Sequence, residues 1–105
     1  MKRNKFNAIK TVIDGITFDS KKEAARYVEL KLLEKSGQIS HLELQPQFKC
    51  IVNGKKICSY RADFAYFTEK THIVEDVKGF VTPIFRLKKR LVEAVFPGVN
   101  IEVIK

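Results

Sequence analysis

The chain has 105 residues, 45% hydrophobic and 30% charged, with five Gly and three Pro; this sets aside a disordered chain and leaves room for one domain, residues 1–105, with a single core. Twenty Lys and Arg against 12 Asp and Glu give a formal charge of +8, which points to a polyanionic partner and first of all to nucleic acid. No apolar run approaches the ~18 residues of a membrane span, and "MKRNKFNAIK" is basic without the apolar stretch of a signal peptide, so the expected compartment is the cytoplasm.

The first element is read from "KTVIDGITF", where apolar residues flank Asp14-Gly15, a dipeptide suited to a type I′ turn. It predicts a short hairpin within an N-terminal arm of residues 1–18. Ser20 then caps a helix, with Glu23 three residues later completing an S-x-x-E capping box and Gly37 ending it, so the helix is expected over residues 20–36. At about 100° per residue, Ala24, Ala25, Tyr27, Val28 and Leu32 fall on one apolar arc with Glu23 at its edge. From that edge the carboxylate either reaches inward toward a sheet or serves only the cap.

"FKCIV", "ICSYRADFAYF" and "HIVEDVK" read as three strands of an antiparallel meander, parted by Asn53-Gly54 and by "TEKT". Cys50, Cys58, His41 and His72 lack the close spacing of zinc ligands, and the two cysteines read as reduced, partly buried thiols. Alternation puts Val74, Asp76 and Lys78 on one strand face and Glu75 and Val77 on the other. A turn centred between Glu69 and Lys70 sets Phe67 opposite His72, Ala65 opposite Val74 and Asp63 opposite Asp76. Two carboxylates at ~5 Å invite a raised pKa or a bound cation. Mg²⁺ suits them, because it takes oxygen ligands and keeps waters for chemistry, and Lys78 on the same face would orient such a water. The alternative is a solvated face on which Asp63 and Asp76 pair with Arg61 and Lys78.

Thr82-Pro83 opens a second helix that runs to about Phe96, before Pro97-Gly98. Its apolar arc is read as Ile84, Leu87, Leu91, Val92 and Val95, with Lys88 inside the arc, either snorkelling to solvent or reaching to a bound phosphate. Arg86, Lys89 and Arg90 read as solvated charges on the opposite side, able to contact a DNA backbone, as is Arg61. "VNIEVI" closes the chain as a fourth core strand.

Glu23 on a helix, Asp63 in "RADF" and Asp76-Val77-Lys78, in that order, resemble the PD-(D/E)xK nuclease superfamily. The stretches "FDSKKEAARYVELKLLEKSGQISHLELQPQF", "YRADF", "VEDVKGF" and "LKKRL" resemble a family of small phage-encoded proteins proposed as endonucleases or Holliday-junction resolvases. The resemblance covers roughly residues 14–97. It implies an α/β (α+β) fold with a restriction-endonuclease-like αβββαβ core: a central mixed sheet, two flanking helices and the N-terminal hairpin. It also implies that Glu23, Asp63 and Asp76 bind Mg²⁺ or Mn²⁺, with the Val77 carbonyl as a further ligand and Lys78 positioning water. Gln45 in "LQPQF" matches a Gln-Pro that lies beside the site in related nucleases; a turn before a strand is its other explanation. Ala62 stands where the superfamily name expects Pro, a position that supplies no ligand.

The expectation is therefore a metal-dependent endodeoxyribonuclease. By resemblance it acts on branched DNA, as a homodimer, in the cytoplasm of a bacterial host if phage-encoded. A catalytically silent DNA-binding module, and a nicking or end-processing nuclease of a phage replication or packaging complex, are the alternatives.

Overall fold

A computed structural model of the chain describes residues 10–105. The basic stretch 1–9 of the expected arm lies outside the described residues. The fold is mixed α+β, with two helices and a mixed central sheet. Its first elements are β1 (Thr11–Ile13) and β2 (Ile16–Phe18), an antiparallel hairpin whose turn residues Asp14 and Gly15 both have positive φ, 53° and 76°. The Asp-Gly dipeptide supplies this because glycine carries no Cβ to clash and aspartate tolerates the left-handed region.

Helix α1 (Lys21–Lys35) starts where Ser20 Oγ accepts the Glu23 N–H at 3.1 Å and ends ahead of Gly37, whose φ is 84°. Its buried face differs from the expected arc. Glu23, Ala24, Tyr27 and Leu30 are buried, whereas Ala25 is exposed and Val28 and Leu32 are 40% and 64% exposed. The helix packs Tyr27 against Phe18 of the hairpin and Leu30 under the sheet, which turns Glu23 from the edge of the arc into the protein.

The expected meander is redistributed. β3 (Ser40–Leu44), not anticipated as a strand, opens the core sheet, and β4 (Gln47–Val52), which contains "FKCIV", leaves it. The long run "ICSYRADFAYF" breaks at Ala62-Asp63 into β5 (Lys55–Arg61) and β6 (Phe64–Phe67). β4 and β5 form a separate hairpin around Asn53-Gly54, while β6 pairs with β3 and with β7 (His72–Val77) in the central sheet. Helix α2 (Pro83–Val95) crosses over to β8 (Val99–Ile104), which lies parallel to β7. With the hairpins set aside, the core order is α1-β3-β6-β7-α2-β8, an αβββαβ arrangement.

One core lies on each face of the sheet. Phe64, Tyr66, Ile73 and Val77 pack with α1 and the first hairpin. Ala65, Val74 and Ile101 pack with Phe85 and Val92 of α2 and with Phe48, Cys50 and Tyr60 of the β4–β5 hairpin. The β7 residues Val74, Glu75 and Asp76 are all buried because helices cover both faces of the sheet. Fully burying Phe64 alone contributes about 2–3 kcal/mol. On α2 the expected arc is also rotated: Phe85 and Val92 are buried, and Ile84 and Leu87 are both 65% exposed. Helical periodicity alone does not say which flank meets the partner, and here Phe85 is drawn in against Tyr60.

Candidate metal and nucleic-acid site

The site is built at a bend. The backbones running from β3 to β4 and from β5 to β6 leave the central sheet together at Gln45-Pro46 and Ala62-Asp63. They stay joined across the bend: Gln45 N–H donates to the Asp63 carbonyl at 2.9 Å and Ala62 N–H to the Pro46 carbonyl at 3.0 Å. Gln45 takes a positive φ of 52° to make the turn. Departures of this kind from regular pairing re-aim side chains.

Phe67 faces His72 and Ala65 faces Val74, as the sequence predicts, but the pairing ends at Phe64–Glu75. Asp63 is not the cross-strand partner of Asp76. Its N–H instead donates to the Glu75 carbonyl at 3.0 Å, and its Oδ2 accepts the Val77 N–H at 2.7 Å. The bend shifts the backbone out of register while bringing the Asp63 carboxyl alongside Asp76. Within a strand the N–H and C=O of one residue point to the same side, so the Val77 carbonyl is directed toward Asp63 as well.

Glu23, Gln45, Asp63, Asp76, Val77 and Lys78 line one cleft of about 530 Å³, together with Arg61 and the 79–80 loop. Every residue expected as a ligand, water-positioning group or neighbour of the site is thus brought together. Burial lifts the Asp63 carboxyl to about 7, and repulsion from Glu23 and Asp76 adds to the rise. Burial also raises Glu23, followed by repulsion from Asp19, while a backbone bond at Asp19 and a side-chain bond to Asp63 pull it down. Asp76, 5% exposed, accepts a hydrogen bond from the Tyr60 hydroxyl and an ion pair from Lys78 Nζ at 3.4 Å. Lys78 Nζ also stands 4.5 Å from the Phe85 ring centroid, which fixes the ammonium on the α2 side. Tyr60 was not anticipated; its place on the strand leading to Asp63 is the only signal the sequence carried.

Glu75 takes no part in the cleft. It is fully buried on the α1 face, where Arg26 Nε and Nη2 donate to its two oxygens at 2.8 and 2.6 Å and Tyr66 donates from its hydroxyl. The basic residues divide. Arg61, Arg86 and Arg90 are exposed, and none of the three makes an ion pair among the described residues. Lys88 is half-buried and donates to the Ser59 carbonyl at 3.3 Å, anchoring α2 to β5. Lys89, expected to be solvated, is half-buried and paired with Glu93 at 3.1 Å, because the helix is rotated toward that flank. Cys50 and Cys58 face each other across β4–β5 as free thiols, while His41 and His72 flank Phe67.

The donor set has the chemistry of a hard-cation site, three carboxylates and a backbone carbonyl, all oxygen, with the Asp63 carboxyl raised to about 7 first by burial and then by its acidic neighbours. Among the described residues no group of three or more His, Cys, Asp or Glu side chains is arranged, as it stands, to hold a metal ion. Protonation, Tyr60 and Lys78 relieve the crowding instead. A slightly larger groove, about 570 Å³, lies beside α1 with Ile13, Tyr27, Val28 and Leu32 on its walls, but it lacks this convergence of acids. Chemistry, not volume, selects the cleft.

No helix among the described residues is long and apolar enough to cross a membrane. No curated protein and no solved structure matches the chain. A family model described as "Protein of unknown function (DUF1064)" matches residues 3–105, nearly the whole length, and the chain therefore belongs to the DUF1064 family.

Proposed function

We propose that the protein is a metal-dependent endodeoxyribonuclease that hydrolyses phosphodiester bonds. The observation that carries this reading is the convergence of Glu23, Asp63 and Asp76 from a helix, a bend and a strand on one cleft beside Lys78, in a chain of net charge +8. When bound, Mg²⁺ or Mn²⁺ would supply an acidified water and positive charge against the phosphate oxygens. The three carboxylates and the Val77 carbonyl would hold it. Lys78, steadied by Asp76 and Phe85, would donate to a phosphate oxygen or hold the attacking water. Tyr60 keeps the Asp76 carboxylate in one orientation. Arg61, Arg86 and Arg90 would draw the DNA backbone in without reading its sequence.

Branched DNA, a four-way junction first, is the substrate class that the resemblance to resolvases supports. Symmetric cutting needs two sites, so the working unit on this reading is a homodimer. Removing residues 1–17 abolishes dimerisation if the hairpin is exchanged between protomers, and sedimentation of the truncated chain checks it. One observation favours a silent DNA-binding module: Asp76 already has Tyr60 and Lys78 as partners.

The test incubates the protein with a labelled four-way junction and a matched linear duplex, in Mg²⁺, Mn²⁺ or EDTA, beside Asp76→Asn. Metal-dependent cutting by the wild type alone supports the nuclease, and preference for the junction supports the resolvase. Equal cutting of both substrates points to a nicking or end-processing enzyme. Binding without cutting in either metal leaves the silent module.

A further inference from the structure

The cleft does not end at the carboxylates. Arg61, Asp76 and Lys78 also line a second cavity of about 240 Å³, whose far walls include Ile84 and Lys88 of α2. The connector from β7 to α2 runs past both. In this connector Val81 turns into the core under α2, and Thr82 caps the helix by accepting the Phe85 N–H at 3.1 Å. Phe80, between Gly79 and Val81, is left on the cleft wall with 63% of its surface in solvent.

A single exposed phenylalanine is ordinary. Three further observations set this one apart. Ile84, 65% exposed, extends the apolar surface along the adjoining cavity. Arg61 and Lys78 share the cleft with Phe80, so cationic groups and an aromatic face lie on one surface. Gly79 has no left-handed φ, and a Cβ there would meet nothing within 4 Å, so neither packing nor backbone conformation asks for glycine. What its absent side chain does provide is close access to the backbone beside Lys78.

Cationic groups that track phosphates, beside an aromatic ring that receives bases, are the physical means of holding single-stranded nucleic acid. In an intact duplex the base faces are covered by their neighbours. A ring beside the cleft therefore receives only a base that has left the stack, as at a branch point, a flap or a single strand.

We propose that Phe80 is a stacking platform for an unpaired base of a DNA strand lying in the acidic cleft, so that the protein selects DNA with locally unpaired nucleotides over fully paired duplex. This rests on the reading of the cleft as a DNA-cutting site and adds the feature of the substrate that the cleft recognises. Gly79 lets the strand pass close to the protein backbone, and Ile84 continues the apolar surface on the α2 side.

The chain has no tryptophan, so Phe80→Trp installs a single indole at the proposed contact. Its emission is followed in EDTA and in Ca²⁺ as a single-stranded oligonucleotide, a four-way junction or a blunt duplex is added, with anisotropy of the labelled DNA reporting binding in parallel. The expected result is quenching by single strand and junction but not by the blunt duplex. Phe80→Ala should bind the single strand roughly 5- to 100-fold more weakly, the equivalent of one lost stacked base, with duplex binding little changed and Phe80→Tyr restoring affinity. Unquenched emission on a bound strand, wild-type binding by Phe80→Ala, or an equal loss for single strand and duplex would each overturn the proposal. So would the absence of DNA binding altogether, with the DNA reading falling alongside it. A wild type that cuts DNA, with no quenching in Phe80→Trp, removes the stacking role alone; quenching in a chain whose wild type never cuts removes only the nuclease.

Discussion

Glu75 and Asp76 are adjacent on β7, and both are buried. Glu75 leaves the strand toward α1, where the Arg26 guanidinium takes both its oxygens and Tyr66 adds a third donor. Asp76 leaves toward α2, where Tyr60 donates one bond and Lys78 stands 3.4 Å away, while Asp63 and Glu23 press from the other side. The first carboxylate has its own cation in bidentate geometry. The second belongs to a group of three acids that share one nearby lysine. A buried carboxylate with a dedicated guanidinium is an anchor, because adding a cation gains nothing and removing the arginine strands a charge. A buried group with excess negative charge holds a proton or takes up a metal, which makes it suited to chemistry.

The sharpest way to break this contrast is to neutralise each acid in turn. Asp76→Asn should lower DNA cleavage more than about 10²-fold, whereas Glu75→Gln should retain most cleavage per folded molecule. Rates normalised to the folded fraction check it, and the reverse pattern would exchange the two roles. The same pair should invert in stability. Glu75→Gln leaves Arg26 with only the exposed Glu29, 3.8 Å away, and should cost about 3 kcal/mol, read from the urea midpoint; Arg26 is 21% exposed and can partly rehydrate, which keeps the cost at the low end of its range.

A smaller effect separates the faces by pH. The Asp63 carboxyl titrates near 7 in the folded chain against an ordinary value of 3.8, so across that window the folded state keeps a proton that the unfolded state has lost. In EDTA, the stability that the Asp63 proton contributes should therefore be full below about pH 4, fall as pH rises toward about 7, and be gone above. Mg²⁺ should raise the melting temperature most at pH 8, where the proton is gone, and least at pH 5. Asp63→Asn should flatten both responses, and thermal melts with and without the metal test them. The smallest expected effect is that of Tyr60→Phe, which removes one donor from a buried carboxylate and should cost about 1–2 kcal/mol. A loss much above that, in equilibrium urea melts, would mean that Tyr60 supports more than Asp76.

What could be read from the chain alone was local. Asp14-Gly15 and Asn53-Gly54 both turn with positive φ, and Ser20 and Thr82 both cap their helices, because each outcome depends on residues within about four positions. The β6–β7 register followed from the turn at Glu69-Lys70 as far as Phe64–Glu75 and failed only at Asp63. The separation of Glu75 from Asp76 followed from strand alternation.

Packing decided the rest. The buried sides of both helices differ from their apolar arcs because the partner surface chooses the side: Phe18 draws in Tyr27, and Tyr60 draws in Phe85. β3 was missed because its pattern of alternating His41, Leu42, Glu43 and Leu44 is short, half polar and interrupted by the positive φ of His41. The break of one apolar run at Ala62-Asp63 carries no sequence signal, since "YRADFAYF" continues to read as strand. That break is what takes Asp63 out of register and puts its carboxyl beside Asp76. Arg26 reaches Glu75 across 49 positions of sequence. Patterns of adjacent residues determine turns, caps and faces, because those are decided by steric and hydrogen-bonding choices a few bonds away. Which acids meet a cation and which meet each other is decided only when distant elements close on the sheet, because burial and charge are properties of the whole surroundings.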